Sequence, residues 1–258
     1  MSASDTILET RGLTKEFKGF VAVSQVNLKV QRGSIHALIG PNGAGKTTCF
    51  NLLTKFLTPT AGQILFEGHD ITNEAPAHIA RRGVIRSFQI SAVFPHLTVL
   101  ENVRVALQRK LGSSFQFWRS ERSLDALNAR AIELLDAVDL GKYAGLTAVE
   151  LSYGRKRALE IATTLAMDPK LMLLDEPTQG MGLEDVDRIK ALIKKVAASR
   201  TVLMVEHNMS VVASIADTIT VLQRGATLAE GSYEQVSKNP AVIEAYMGSA
   251  NVELKGAH

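Results

Sequence analysis

GPNGAGKTT, residues 40–48, is the stretch on which the fold turns. It matches the pattern G-x-x-x-x-G-K-[ST] at Gly40, Gly45, Lys46 and Thr47, with Pro41, Asn42, Gly43 and Ala44 between and Thr48 continuing the chain. The apolar run that ends at Gly40 reads as a buried strand, and Cys49 to Leu57 reads as a helix. That strand–loop–helix setting is what gives the pattern meaning. Glycines let successive backbone N–H groups wrap phosphates, and the helix N-terminus adds positive potential. Lys46 can reach the β- and γ-phosphates, and the Thr47 hydroxyl suits Mg²⁺. An ordinary glycine-rich turn is the alternative. At average glycine usage, a chance match falls at about one in tens of thousands of positions.

Working outward, residues 20–40 alternate apolar and polar at Val26, Leu28 and Val30, break at Arg32-Gly33 and resume toward Gly40. They read as a hairpin-like strand pair feeding a buried strand. GQILFEG (62–68) is a further strand, and VIRSFQ (84–89) is another that ends at Gln89. From Thr98 the pattern turns helical. Thr98-x-x-Glu101 is a capping-box signal, and Leu124 to Val138 carries apolar residues at helical spacing. The block from about 90 to 165 therefore reads as an inserted helical subdomain. LMLLDEP (171–177) and TVLMVEH (201–207) are continuous apolar strands of the kind buried on both faces of a parallel sheet. Helices led by Glu184 and Asn208 follow them. The fold class expected is α/β with a mostly parallel core sheet and right-handed crossovers. The tail from Gly248 to His258 has little apolar content and is expected to be loosely ordered.

Acidic residues fall where such sheets place their chemistry. Asp175 closes a buried strand and can hold Mg²⁺ directly or through water. Glu176 beside it can accept a proton from a water attacking the γ-phosphate, or orient that water. Gln89 offers an amide oxygen to Mg²⁺ or to the water where the chain leaves the sheet for the helical block. His207 closes TVLMVEH and can donate a hydrogen bond to the γ-phosphate. Taken singly, a loop glutamine and a lone histidine read as structural; their functional reading comes from the set.

Bulk properties narrow the partners. The 258 residues carry 29 Lys and Arg against 26 Asp and Glu, a formal charge of +3, without long basic runs. This argues against nucleic acid. The lone Cys49 rules out an internal disulfide and fits a reducing compartment. The N-terminus MSASDTILETRGLTKEF is charged where a signal peptide needs an apolar stretch, and no apolar run approaches the length of a membrane span. A cytoplasmic chain whose membrane role comes through another protein is expected.

Gly40 to Thr48, Gln89, LSYG (151–154), LMLLDEP and His207 in this order resemble the ATP-binding cassette subunits of ABC transporters, over about residues 7–247. The resemblance implies ATP and Mg²⁺ as ligands and implies that Leu151, Ser152, Tyr153 and Gly154 form the signature motif. Ser152 followed by a helix is an N-cap with free N–H groups, an anion site in its own right. One phosphate loop already serves one nucleotide, so the second site would contact the γ-phosphate of ATP held by a second subunit. Two cassettes, identical or sister chains, would sandwich two ATP molecules head to tail. Phe17 corresponds to the aromatic that stacks on adenine, and Val23 is expected on the same face.

RSFQISAVFPHLTVLENV, EPTQGM and VEHNM are similar to the ATPases of branched-chain amino acid importers. The insert QRKLGSSFQFWRSERS (108–123), which holds Trp118, resembles an extended segment of one of those ATPases. Separate membrane permeases, a periplasmic solute-binding protein and a place on the inner face of the membrane are implied. Related systems for urea, lipid or lipopolysaccharide, or a soluble cassette ATPase outside transport, are the alternatives. Three departures stand out. Tyr153 replaces a signature glycine, Arg155 and Lys156 replace glutamine and read as a solvated pair, and Gln179-Gly180-Met181-Gly182 leaves Gly182 without the usual interface carboxylate.

Overall fold

The computed structural model describes residues 5–87, 93–108 and 126–255, with side chains as far as Met247. In chain order the elements are β1 (Thr6–Phe17), β2 (Phe20–Val26), β3 (Lys29–Gln31), β4 (Ile35–Ile39), α1 (Lys46–Leu53), β5 (Ala61–Phe66), β6 (His69–Asp70), α2 (Pro76–Arg82) and β7 (Val84–Ser87). The helical block follows with α3 (Val99–Gln108), α4 (Asn128–Ala137) and α5 (Tyr153–Ala166). The chain then returns through β8 (Leu171–Asp175), α6 (Leu183–Ala197), β9 (Thr201–Val205), α7 (Met209–Ile215), β10 (Thr218–Gln223), β11 (Ala226–Gly231), α8 (Tyr233–Ser237) and α9 (Pro240–Lys255).

The main sheet runs β11-β10-β4-β9-β8-β7. Its ladders from β10 to β7 are parallel and β11 is an antiparallel edge. Every residue of β4, β8 and β9 is buried. Because successive side chains point to opposite faces, each strand feeds two cores. Ala37, Met172, Leu174, Val202 and Met204 join the core under the helices α5, α6 and α7. Leu38, Leu171, Leu173, Leu203 and Val205 pack with Cys49, Phe50, Leu52 and Leu53 of α1. The helix after the phosphate loop is thus wedged between this sheet and a second, antiparallel one built on β1. Burial there pushes the Cys49 thiol up to about 12.

The hairpin-like pair expected within residues 20–40 does not form, since β4 pairs with β9 and β10 rather than with β2 or β3. β2 and β3 both pair with β1, from Phe17↔Phe20 at one end to Thr6↔Gln31 at the other. Thr10 explains the layout, since its hydroxyl donates to Val26 O and accepts from Leu28 N, bridging both strands along one line. The first helix stops at Leu53 rather than Leu57. Thr54 turns its hydroxyl onto Phe50 O, and Lys55 takes a left-handed φ of 61° that cannot continue the helix.

The capping box opening α3 forms as expected, Thr98 N donating to Glu101 Oε2 and Glu101 N to Thr98 Oγ1. The tail boundary placed at Gly248 falls inside α9, whose backbone runs from Pro240 to Lys255. Gln89 and residues 109–123 of the insert, with Trp118, lie outside the described residues.

Candidate nucleotide site

The phosphate loop leaves β4 and enters α1 through glycines in conformations other residues resist. Gly40, Gly43 and Gly45 have φ of 150°, 76° and 96°. A Cβ on Gly40 would strike Leu222 O, and one on Gly45 would sit 2.6 Å from Ala22 O. Lys46 folds back over the loop, donating to Gly40 O at 2.7 Å and Pro41 O at 3.0 Å. Burial holds its ammonium below the usual value, while Glu176 and Asp175 pull it up again. A cavity of about 330 Å³ is lined by Phe20, Ala22, Asn42 to Thr48 and Glu176, bringing the loop and the acidic residue together.

Asp175 ends β8, and its carboxylate accepts from Arg86 on β7 at 2.5 Å. Glu176 follows with a left-handed φ of 45°, and its N–H donates to Val205 O on β9. His207 Nδ1 lies 3.8 Å from Glu176 Oε1. The loop that carries His207 is fixed by Glu206, which is fully buried. Its carboxylate accepts from Thr178 N, His207 N and Asn208 N at 2.9–3.0 Å, and from the Thr178 hydroxyl. The Glu176 carboxylate thus stands at the edge of the loop cavity with the His207 imidazole beside it, an arrangement that can orient a water against a terminal phosphate.

Other sequence expectations fare differently. Val23 is fully buried, 3.6 Å from where a Gly45 Cβ would lie, so it supports the loop from beneath and presents no ligand face. The period of β2 explains this, since neighbouring Ala22 takes the cavity side. Phe20, 68% exposed, lines the cavity, while Phe17 sits opposite it across the β1–β2 turn with Lys15 Nζ 5.1 Å over its ring.

Ser152 caps α5 in backbone conformation, yet its exposed side chain makes no capping bond, and it does not line the phosphate-loop cavity. At Gly154 the Asp185 carboxylate occupies the space a Cβ would fill. Arg155 is not a free solvated charge, because its guanidinium lies 4.4 Å over the Tyr143 ring. Gly182 caps α6 by conformation alone.

Sequence reasoning passed over Arg86, Arg157, Glu206 and Phe20. Arg157 and Glu160 left one faint signal, a charged i, i+3 pair inside an apolar helix. Burial pushes the pKa of the Tyr246 hydroxyl on α9 up to about 12, against a smaller opposing pull from the Gly40 backbone.

Topology and loop together define a P-loop nucleotide-binding protein. The family described as ABC transporter matches residues 23–179, and the one described as branched-chain amino acid ATP-binding cassette transporter matches residues 226–251. The chain belongs to the ABC transporter family and is an ATPase of that family, binding ATP and hydrolysing it to drive transport. It is 44% identical over 257 residues to the high-affinity branched-chain amino acid transport ATP-binding protein BraF of Pseudomonas aeruginosa, covering 96% of this chain and 100% of that one. An ATP-binding cassette of an ABC transporter solved in its ADP conformation superposes with a TM-score of 0.84 at 32% identity, covering 94% of this chain and 99% of that one. A dimeric cassette in a post-hydrolysis state bound to ADP and Pi gives 0.73 at 25% identity, covering 88% and 99%. No helix among the described residues is long and apolar enough to cross a membrane.

Proposed function

We propose that this chain is the ATPase subunit of an importer for branched-chain or related amino acids, in which two cassettes close over two ATP molecules and reopen after hydrolysis. Separate permease subunits would carry the solute, a periplasmic protein would deliver it, and the cassette would dock on the inner face of the membrane. The solute assignment rests on the branched-chain amino acid transport named for the Pseudomonas relative and on the match at residues 226–251. The shared-site reading rests on one observation: α5 begins at Ser152 with its side chain uncommitted and away from the chain's own phosphate loop. A helix N-terminus so placed suits the γ-phosphate of a nucleotide held elsewhere.

Within one cassette, Gly40 to Thr48 bind the phosphates, Glu176 orients or deprotonates the attacking water, and His207 donates to the γ-phosphate. Gln89 completes this set from outside the described residues. Phe17 and Phe20, facing each other across the β1–β2 turn, offer a platform for adenine. Thr47 and Asp175, with Gln89, are the groups that would hold Mg²⁺. Their oxygens fit a cation that takes one or two protein ligands and keeps phosphate oxygens and water. Bound there, Mg²⁺ supplies charge neutralisation on the phosphates.

Gel filtration of Glu176→Gln with ATP and Mg²⁺ tests the shared site. The protein should elute at dimer mass, and adding Ser152→Arg should return it to monomer. A monomer that hydrolyses ATP at full rate overturns the reading.

A further inference from the structure

Arg157, one turn into the signature helix α5, is 5% exposed, and none of its bonds runs to solvent-facing groups. Its Nη1 donates to Glu160 Oε2 at 2.6 Å, also buried. The rest of the guanidinium addresses three consecutive carbonyls of the loop after β8. Nη2 donates to Asp175 O at 3.0 Å and Glu176 O at 2.9 Å, and Nε to Pro177 O at 3.3 Å. The middle residue of those three is the one with the left-handed φ of 45°. A non-glycine residue persists there only when its surroundings fix it, at a cost of about 1–3 kcal/mol. On the other side, Val205 O and Glu206 hold Glu176 N and Thr178. The carboxylate of Glu176 is thus aimed by a backbone that Arg157 pins to α5.

We infer that Arg157 is a positioning residue: it clamps the loop bearing Glu176 onto the helix whose N-terminus holds the signature motif. A shift of α5 on meeting the neighbouring cassette's nucleotide then moves the hydrolytic carboxylate of this one. This inference rests on Glu176 acting as proposed above. A planar fork can satisfy three carbonyls and a carboxylate at once, whereas a lysine is a point charge with a single head. The pair with Glu160 keeps the buried cation balanced, and burial pushes the Glu160 carboxyl up against the pull of Arg157.

The test compares Arg157→Lys with wild type in steady-state ATP hydrolysis by the full chain. Misplacing a reacting group by an ångström costs on the order of 100-fold, so kcat should fall at least about tenfold while the KM for ATP stays within about twofold. A second variant, Arg157→Gln with Glu160→Gln, neutralises both charges together and so leaves no lone buried ion. It should show the same kcat loss with KM retained. In the Glu176→Gln background, measured by single-turnover phosphate release, Arg157→Lys should lower the residual rate less than about twofold, because the group it positions is already gone. Wild-type kcat in both Arg157 variants, or a loss that multiplies with that of Glu176→Gln, overturns the inference. Full turnover by Glu176→Gln alone would instead remove the reading beneath it.

Discussion

The guanidinium of Arg86 and the carboxylate of Asp175, 89 residues apart in sequence, meet at 2.5 Å with side chains only 12% and 10% exposed. Arg86 also donates to Asn51 Oδ1 at 2.6 Å and lies 5.8 Å over the Phe50 ring, both on α1. One cation therefore joins strands β7 and β8 to the helix behind the phosphate loop. Removing it leaves a nearly buried carboxylate without that partner, at a cost of about 3 kcal/mol. For a chain this long, Arg86→Met should lower the melting temperature by roughly 6–12 °C. MgATP should narrow the gap, because a divalent cation beside Asp175 replaces part of the lost charge. Differential scanning fluorimetry with and without nucleotide checks both; an unchanged melting temperature would show that the pair gives no net stabilisation.

What the sequence made legible follows from where each constraint lies. The phosphate loop was readable because its chemistry demands residue types in consecutive order. β8 and β9 were readable because a strand buried on both faces must be apolar throughout. Arg86–Asp175 was not, since nothing at either position names a partner 89 residues away. The hold of Arg157 on the loop was hidden for another reason: the acceptors there are main-chain carbonyls, which every residue carries. The β2–β3 assignment failed because alternation shows which face of a strand is buried and says nothing about which strand lies beside it. β1 itself is broken by Gly12 and by the charges of Glu9, Arg11, Lys15 and Glu16, which blur its period.

The two phenylalanines of the β1–β2 turn give a discriminating experiment. Phe17 is 40% exposed and Phe20 68%, and only Phe20 lines the loop cavity. If stacking on adenine is shared, Phe17→Ala and Phe20→Ala should each weaken ATP binding by about 1 kcal/mol, or roughly fivefold. Both should discriminate little between ATP and GTP, since any purine presents a ring face. Fluorescence titration with a labelled nucleotide measures this. A loss confined to one variant would assign the platform to that ring alone.

His36 sits inside β4, bonded through Nε2 to Thr220 Oγ1, and burial lowers its pKa from an ordinary 6.5 to about 4. Between those two values the unfolded chain binds a proton that the folded chain refuses. Stability should therefore be intact above pH 6.5, decline as pH falls toward 4, and gain no further loss from this group below that. The full decline amounts to about 3 kcal/mol. Urea denaturation across the window, compared with His36→Gln, isolates the histidine from carboxylates that titrate nearby in pH. Equal slopes in the two proteins would mean that burial does not keep His36 neutral.

Gly43 and Gly45 occupy the same loop, and both have positive φ, yet their surroundings differ. A Cβ at Gly43 meets nothing within 4 Å, while one at Gly45 lies 2.6 Å from Ala22 O and 3.3 Å from the Gly225 Cα. Gly43→Ala thus carries only backbone strain, about 1–2 kcal/mol. Gly45→Ala adds a clash with the main chain of β2, which Gly225 helps hold by accepting from Ser24 N. That contact cannot relax through a rotamer change, so the loop or β2 must move. ATP affinity should fall at least about tenfold more in Gly45→Ala than in Gly43→Ala, with the larger drop in melting temperature as well. Isothermal titration of both variants decides the matter. Equal losses would mean that strain at positive φ, rather than the close approach of β2, sets the demand for glycine at position 45.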